Sequence, residues 1–164
     1  RSFHRLDQVL NLARNRDYVC LQETKFRAKE KLYFKVHLPH HKVFYNNNPK
    51  NGSGSKNSFK AGTVIILHPR VLDLAEVTNA RPIVGHEGYI QTVELREKSR
   101  NTPLTVRITC CYFESSENVA SRQLSQMEAL NSLPKSDLEY WCGDFNFVEN
   151  KEDANRDAVF ENQG

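Results

Sequence analysis

Apolar side chains near the start of the chain repeat every three or four residues, which is the spacing of one face of an α-helix. The repeating positions are Phe3, Leu6, Val9, Leu10 and Ala13. With Ser2 as the candidate N-cap, they predict an amphipathic helix over residues 3–15. A second helical pattern begins at Ser115 or Ser116 and continues to Leu133. Its predicted inward face consists of Val119, Leu124, Met127 and Leu130.

Short runs of apolar and β-branched residues predict strands between and after these helices. The predicted strands cover residues 17–22, 42–45, 62–67, 71–77, 89–95, 104–112 and 138–142. Residues 46–60 are rich in Asn, Gly and Ser and predict a loop. Because helices and strands do not alternate strictly, the order predicts an α/β (α+β) sandwich, in which a mixed sheet or two stacked sheets have helices outside.

The composition is that of a folded domain without a membrane span. The chain has 164 residues, and its aromatic content of 10% argues against disorder. The longest apolar run, Thr63–Leu67, is far too short to cross a bilayer. The first residues contain no signal-peptide core. We therefore expect an intracellular protein that is neither secreted nor membrane-bound.

Opposite charges concentrate in different parts of the chain, although the net charge is only +3. Basic residues dominate from Lys25 to Arg70, and acidic residues dominate from Glu114 to Asp157. This arrangement suits a protein that holds a polyanion beside a bound cation, but two solvated faces of opposite sign would give the same pattern.

The four cysteines lie in apolar runs without the paired spacing of zinc sites, so we expect buried free thiols. They are Cys20, Cys110, Cys111 and Cys142.

Polar side chains suited to phosphate chemistry stand at the ends of three predicted strands, where open α/β proteins place their sites. Two of them are carboxylates, the hard oxygen ligands that Mg²⁺ prefers. Taken alone, a Glu after a strand is more often a solvated loop residue, a Tyr at a strand end is more often a half-buried edge residue, and Gly-Asp-Phe-Asn is also a plausible turn. Together they predict a metal-assisted site at one rim of the sandwich. The candidates are Glu23, Tyr112, Asp144 and Asn146.

Two motifs carry a resemblance to a known family. Residues 17–25, Asp-Tyr-Val-Cys-Leu-Gln-Glu-Thr-Lys, resemble the LQET-K motif of the endonuclease/exonuclease/phosphatase (DNase I-like) superfamily. Residues 141–146, Trp-Cys-Gly-Asp-Phe-Asn, resemble its GDFN motif, and residues 61–67 resemble its glycine-led strand. Within the superfamily the chain is most similar to apurinic/apyrimidinic-type and LINE-type retrotransposon endonucleases.

The resemblance implies a four-layer sandwich of two stacked mixed sheets flanked by helices. It implies a Mg²⁺-dependent phosphodiester hydrolase, with Mn²⁺ as an alternative metal, that acts on DNA in the nucleus. By this resemblance Glu23 would hold the metal, and Asp144 would orient or deprotonate the attacking water. Asn146 would contact the scissile phosphate and support the metal site, and Tyr112 would contact that phosphate and help stabilise its developing charge.

The chain departs from the family pattern in several places. It lacks the family's first-strand Asn and its C-terminal Asp–His pair, and Phe113 and Glu114 follow Tyr112 where the family often has Pro and Asn. We therefore expect one domain, 1–164, that is incomplete at both ends and has weak or no activity alone. A phosphoinositide phosphatase or another phosphodiesterase of the same fold stays open, as does a non-catalytic remnant that binds nucleic acid.

Overall fold

The computed structural model describes residues 3–24, 26–47, 61–99, 101–113 and 120–146. The helices are α1 (Phe3–Asn15), α2 (Ala28–His37), α3 (Pro69–Leu74) and α4 (Ala120–Asn131). The strands are β1 (Tyr18–Leu21), β2 (Lys42–Asn46), β3 (Thr63–Leu67), β4 (Ala75–Pro82), β5 (Ile90–Glu97), β6 (Thr105–Tyr112) and β7 (Leu138–Asp144).

These strands form two sheets. The first sheet has the order β1-β3-β2, and both of its pairings are antiparallel. The second sheet has the order β4-β5-β6-β7, and its β6–β7 pairing is parallel. The parallel pairing requires a crossover connection, which α4 supplies between the two strands.

Three apolar clusters join the layers of the fold. In the first, Leu10 of α1 and Phe34 of α2 pack against the outer face of the first sheet. In the second, Ile65 of β3 meets Val93 of β5 between the two sheets. In the third, Leu130 packs α4 against the outer face of the second sheet. The order helices, sheet, sheet, helix confirms the predicted four-layer sandwich.

The segment after β3 differs from its prediction. Residues 71–77 were expected to form a strand, but the chain forms α3 first and enters β4 only at Ala75. His68 caps α3 by accepting the Arg70 N–H at its ring nitrogen, 3.1 Å away. Pro69 stands in the first turn, where its fixed φ favours a helix and its missing N–H costs nothing.

Two other local predictions were wrong and one element was missed. Leu124 was assigned to the inward face of α4, yet its side chain is 61% exposed, whereas Leu130 is buried. Residues 138–142 were expected to be a buried strand, but most side chains of β7 are exposed because, among the described residues, it pairs only with β6. Helix α2 had no counterpart in the prediction, since Leu32 and Val36 on its surface obscure the helical pattern.

Some predictions fall outside the described residues. They concern the caps at Ser2 and at Ser115 or Ser116, the inward position of Val119 and the loop at residues 48–60. The remaining predicted helix and strands agree with the structure to within about two residues at each end. Across the described part of the chain, no helix combines the length and apolarity that crossing a bilayer requires.

Gly143 lets β7 lie directly against β6 near the ends of both strands. Its φ is +153°, a backbone conformation that L side chains rarely adopt. A Cβ atom on this residue would lie 1.8 Å from the carbonyl oxygen of Cys111, its register partner on β6. The final step of the parallel pairing therefore requires glycine at this position.

Truncation of the layer between the sheets should destabilise the protein strongly. Ile65 has no exposed surface, so Ile65→Ala is expected to lower the free energy of unfolding by about 2–5 kcal/mol. Val84→Ala is the control, because Val84 is 88% exposed and its loss should change stability by less than about 0.5 kcal/mol. Urea unfolding followed by circular dichroism measures both. Equal losses in the two variants would contradict this packing.

Substitution of Gly143 should lower the free energy of unfolding by more than backbone strain alone would. Gly143→Ala is expected to lower the free energy of unfolding by roughly 4 kcal/mol or more, because the added Cβ collides with the Cys111 carbonyl. Gly85→Ala separates the two effects, since Gly85 also has a positive φ of +83° but open space around it. That variant should lose only about 1–2 kcal/mol. Urea unfolding measures both variants. If Gly143→Ala loses no more stability than Gly85→Ala, the close approach of Gly143 to the Cys111 carbonyl is refuted.

Candidate active site

Three strands from the two sheets end at one rim of the sandwich. Tyr112 and Asp144 are register partners at the ends of the parallel strands β6 and β7. Glu23 follows β1 of the first sheet by two residues. The Tyr112 hydroxyl donates a hydrogen bond of 2.5 Å to Oε1 of Glu23. Three of the four predicted site residues therefore meet across the boundary between the sheets.

A glycine contact fixes the backbone that carries Glu23. Glu23 itself has a positive φ of +52°, and the next residue, Thr24, donates its N–H to the carbonyl of Gly62 at 2.9 Å. A Cβ on Gly62 would lie 2.0 Å from the Thr24 carbonyl oxygen. The glycine before β3 thus allows the turn after β1 to close tightly, and this turn directs Glu23 towards Tyr112.

The surroundings of Tyr112 keep its hydroxyl protonated. Burial, the hydrogen bond to Glu23 and the nearby carboxylates of Glu23 and Asp144 all raise the pKa of the phenol above its usual range. Ionisation would place a third negative charge beside two carboxylates. Tyr112 is therefore a hydrogen-bond donor at neutral pH, which is the form that can stabilise charge on a phosphate oxygen.

Asn146 lies beside the other three residues but is tied to the backbone. Its N–H donates to Oδ1 of Asp144 at 3.0 Å, and its side-chain amide donates to the carbonyl of Phe113. With a φ of +48°, it forms the turn that ends the pairing of β6 with β7. In this structure Asn146 orients the Asp144 carboxylate and closes the strand ends.

Two residues that the sequence did not single out support this arrangement. The ring of Tyr89 stacks on that of Tyr112, with centroids 6.1 Å apart and planes 5° apart. Gln123 of α4 donates from Nε2 to the carbonyl of Asn146 at 3.0 Å. The antiparallel pairing of β5 with β6 was the available signal for Tyr89, because it brings the start of one strand to the end of the other. Nothing in the helical pattern pointed to Gln123.

Small thiol side chains lie between the sheets just beneath the site. Cys110 precedes Tyr112 by two residues, and its Sγ lies 3.5 Å from the carbonyl oxygen of Leu21 in the facing sheet. Cys142 precedes Asp144 by two residues, and its Sγ lies 3.7 Å from the Tyr18 hydroxyl. All four cysteines are free, as predicted, but only Cys110 and Cys111 are buried; Cys20 and Cys142 are partly exposed, so the expected burial was wrong for these two. Those next to the site allow the two sheets to approach closely there.

The acidic residues of the rim fit a magnesium ion better than a metal that prefers thiolate or imidazole ligands. Among the described residues, no three His, Cys, Asp or Glu side chains are grouped closely enough to enclose a metal. Mg²⁺ needs no such cage, because it keeps several waters and binds through one or two carboxylates and a substrate phosphate. Glu23 and Asp144 provide two exposed carboxylates, both close to one phenol.

Comparison with solved structures identifies the fold. A D. rerio TDP2 humanized by 14 mutations matches with a TM-score of 0.57 and 16% identity, over 88% of this chain and 55% of that one. The AP endonuclease LMAP from Leishmania major matches with a TM-score of 0.57 and 19% identity, over 87% of this chain and 49% of that one. The human Nocturnin catalytic domain matches with a TM-score of 0.53 and 14% identity, over 90% of this chain and 57% of that one.

This chain thus spans about half the length of each solved structure. No protein-family model matches the sequence, and a search of curated proteins found no relative. The solved structures agree with the order of layers described above and with the resemblance carried by residues 17–25 and 141–146. The chain therefore adopts the DNase I-like fold.

Proposed function

We propose that this chain is part of a Mg²⁺-dependent phosphodiester hydrolase that cuts DNA, an endonuclease of retrotransposon or abasic-site type. One observation carries the proposal above all others. A protonated Tyr112 lies between the carboxylates of Glu23 and Asp144, at a rim built from both sheets of a DNase I-like fold. Carboxylates and a neutral donor at one place are what metal-assisted hydrolysis of a phosphodiester requires.

Each residue has a distinct proposed role. Bound Mg²⁺ would supply positive charge that polarises the phosphate, and Glu23 would hold it. Asp144, oriented by the Asn146 N–H, would position and deprotonate the attacking water. Tyr112 would donate its hydroxyl proton as a hydrogen bond to the phosphate oxygen on which charge develops. Asn146 would contact the same phosphate once its amide leaves the Phe113 carbonyl.

Positive charge on the first sheet's side of the molecule supports a polyanionic substrate. Lys29 lies on α2, and Lys42 begins β2. Lysines supply the sequence-independent attraction to a phosphate backbone. A D. rerio TDP2 structure contains a single-strand DNA product, which makes DNA the first substrate to test. An intracellular, nuclear location is part of the same proposal.

The decisive experiment is nicking of supercoiled plasmid with Mg²⁺ or Mn²⁺. We expect slow nicking that EDTA abolishes and that Glu23→Gln and Asp144→Asn each reduce by about 10²-fold or more. Asp73→Asn is the matched control, because it makes the same carboxylate-to-amide change on the exposed surface of α3. Thermal unfolding of every variant verifies that the fold is intact.

The outcomes separate the candidate functions. Metal-independent nicking, or equal activity in Asp144→Asn and Asp73→Asn, would contradict the proposed site. A folded chain that does not nick but binds DNA with strong salt dependence would be the non-catalytic binding module instead. Hydrolysis of abasic duplex, plain plasmid, poly(A) and inositol phosphates, measured side by side, distinguishes an endonuclease from other phosphodiesterases of this fold.

The hydroxyl of Tyr112 can be tested separately from its ring. Tyr112→Phe keeps the stacking on Tyr89 but removes the donor, so nicking should fall by about 10²-fold while thermal stability changes little. Tyr33→Phe is the control, because it removes a similar hydrogen bond of 2.6 Å to Asp7, between α2 and α1. If both variants keep full activity, Tyr112 has no part in the chemistry.

A further inference from the structure

A cavity of about 520 Å³ lies between α2 and the edge strand β2, on the helix-covered side of the first sheet. Its volume is within the range of small-molecule sites. Four positions of α2, spaced by three and four residues, form one wall: Ala28, Lys31, Leu32 and Lys35. Val43 and Tyr45 of β2 form the facing wall. The turn between the helix and the strand closes one end.

The cavity combines an apolar interior with two lysines. Lys31 and Lys35 both line it, and none of its lining residues is acidic. The Lys31 ammonium lies 5.0 Å from the centre of the Tyr45 ring, so it remains at the cavity rather than turning to solvent. Burial raises the pKa of Tyr45 to about 12, so this residue adds no negative charge. An occupant with one anionic group would match these charges.

His41 closes this end of the cavity without adding charge. Its Nε2 lies 3.1 Å from the Ala13 carbonyl oxygen, which can only accept, so Nε2 carries the proton and donates to it. Burial lowers the pKa of the imidazole, which keeps it neutral. Lys31 and Lys35 are therefore the charged groups of the lining.

We propose that this cavity binds a small amphipathic organic anion, with an apolar or aromatic body and one acidic group. The body would lie between Leu32 and Tyr45, and the acidic group between Lys31 and Lys35. None of the residues proposed to act on DNA lines the cavity. The site is therefore separate from the proposed active site, and each can be refuted without the other.

The probe that tests this is 8-anilinonaphthalene-1-sulfonate, which has an aromatic body, one sulfonate and one N–H. Fluorescence titration and calorimetry of the whole chain should show one site that weakens as salt is raised. N-phenyl-1-naphthylamine, which keeps the body and N–H but lacks the sulfonate, should bind at least about tenfold more weakly. Equal binding of the neutral compound would overturn the anion site.

Matched charge changes locate the site. The double variant Lys31→Gln/Lys35→Gln should weaken probe binding by about tenfold or more. Lys29→Gln/Lys42→Gln removes the same amount of charge from α2 and from the start of β2, outside the cavity, and it should change binding by less than about twofold. Equal weakening in both double variants would show attraction to a general basic surface, which contradicts the proposal.

A third variant tests the apolar wall without disturbing the core. Leu32 is 60% exposed, so Leu32→Glu should fold normally, while its carboxylate repels the probe and lowers affinity by about tenfold or more. Unchanged affinity in a folded Leu32→Glu variant would place the probe elsewhere.

Displacement of the probe by a short DNA duplex would assign Lys31 and Lys35 to the nucleic-acid surface and would likewise overturn the cavity site.

Discussion

The candidate active site depends on two sheets staying packed face to face. Glu23 follows a strand of the first sheet, whereas Tyr112 and Asp144 end strands of the second. The hydrogen bond between Glu23 and Tyr112 therefore reports the spacing of the sheets, and such bonds weaken steeply as their geometry departs from the ideal. Apolar packing below the rim, centred on Ile65, thus helps to hold the candidate site together although none of its residues is near Ile65 in sequence.

The two faces of the first sheet serve different purposes in this arrangement. One face packs on the second sheet and presents the turn after β1 to the active-site rim. The other face is covered by α1 and α2 and borders the cavity next to β2. The cavity borders β2, whereas Glu23 follows β1, and β3 lies between these two strands. Closeness of this kind does not by itself couple two sites, since coupling requires two alternative states of the structure between them.

The sequence predicted the ends of strands better than the contacts between them. Glu23, Tyr112 and Asp144 were recognised because each follows an apolar run and carries a side chain suited to a cation or a phosphate. Their meeting depends on sheet stacking and on backbone contacts at Gly62 and Gly143, which no local pattern reveals. Whether they act on phosphate is a question for the nicking experiments, because similarity of fold alone does not fix a function.

Where sequence patterns failed, tertiary contacts outweighed local preference. Residues 71–77 contain β-forming side chains, yet the cap at His68 and the proline after it start a helix there. In α2 only Phe34 is fully buried, so the helix depends on a few contacts with α1 and the sheet rather than on a continuous apolar stripe. Leu124 follows the helical spacing of α4, yet it is exposed whereas Leu130 is buried, so the spacing alone did not identify the packed face.

The thiols beneath the rim also bear on the redox chemistry of the protein. The hydrogen bond with Cys110 and burial raise the pKa of the Cys20 thiol, and burial raises that of Cys111. Because the thiolate is the form that reacts with oxidants and disulfides, the raised pKa values make Cys20 and Cys111 poor nucleophiles. Cys20 packs between the two sheets as a free thiol, so their spacing under Glu23 and Tyr112 rests on packing rather than on a covalent link.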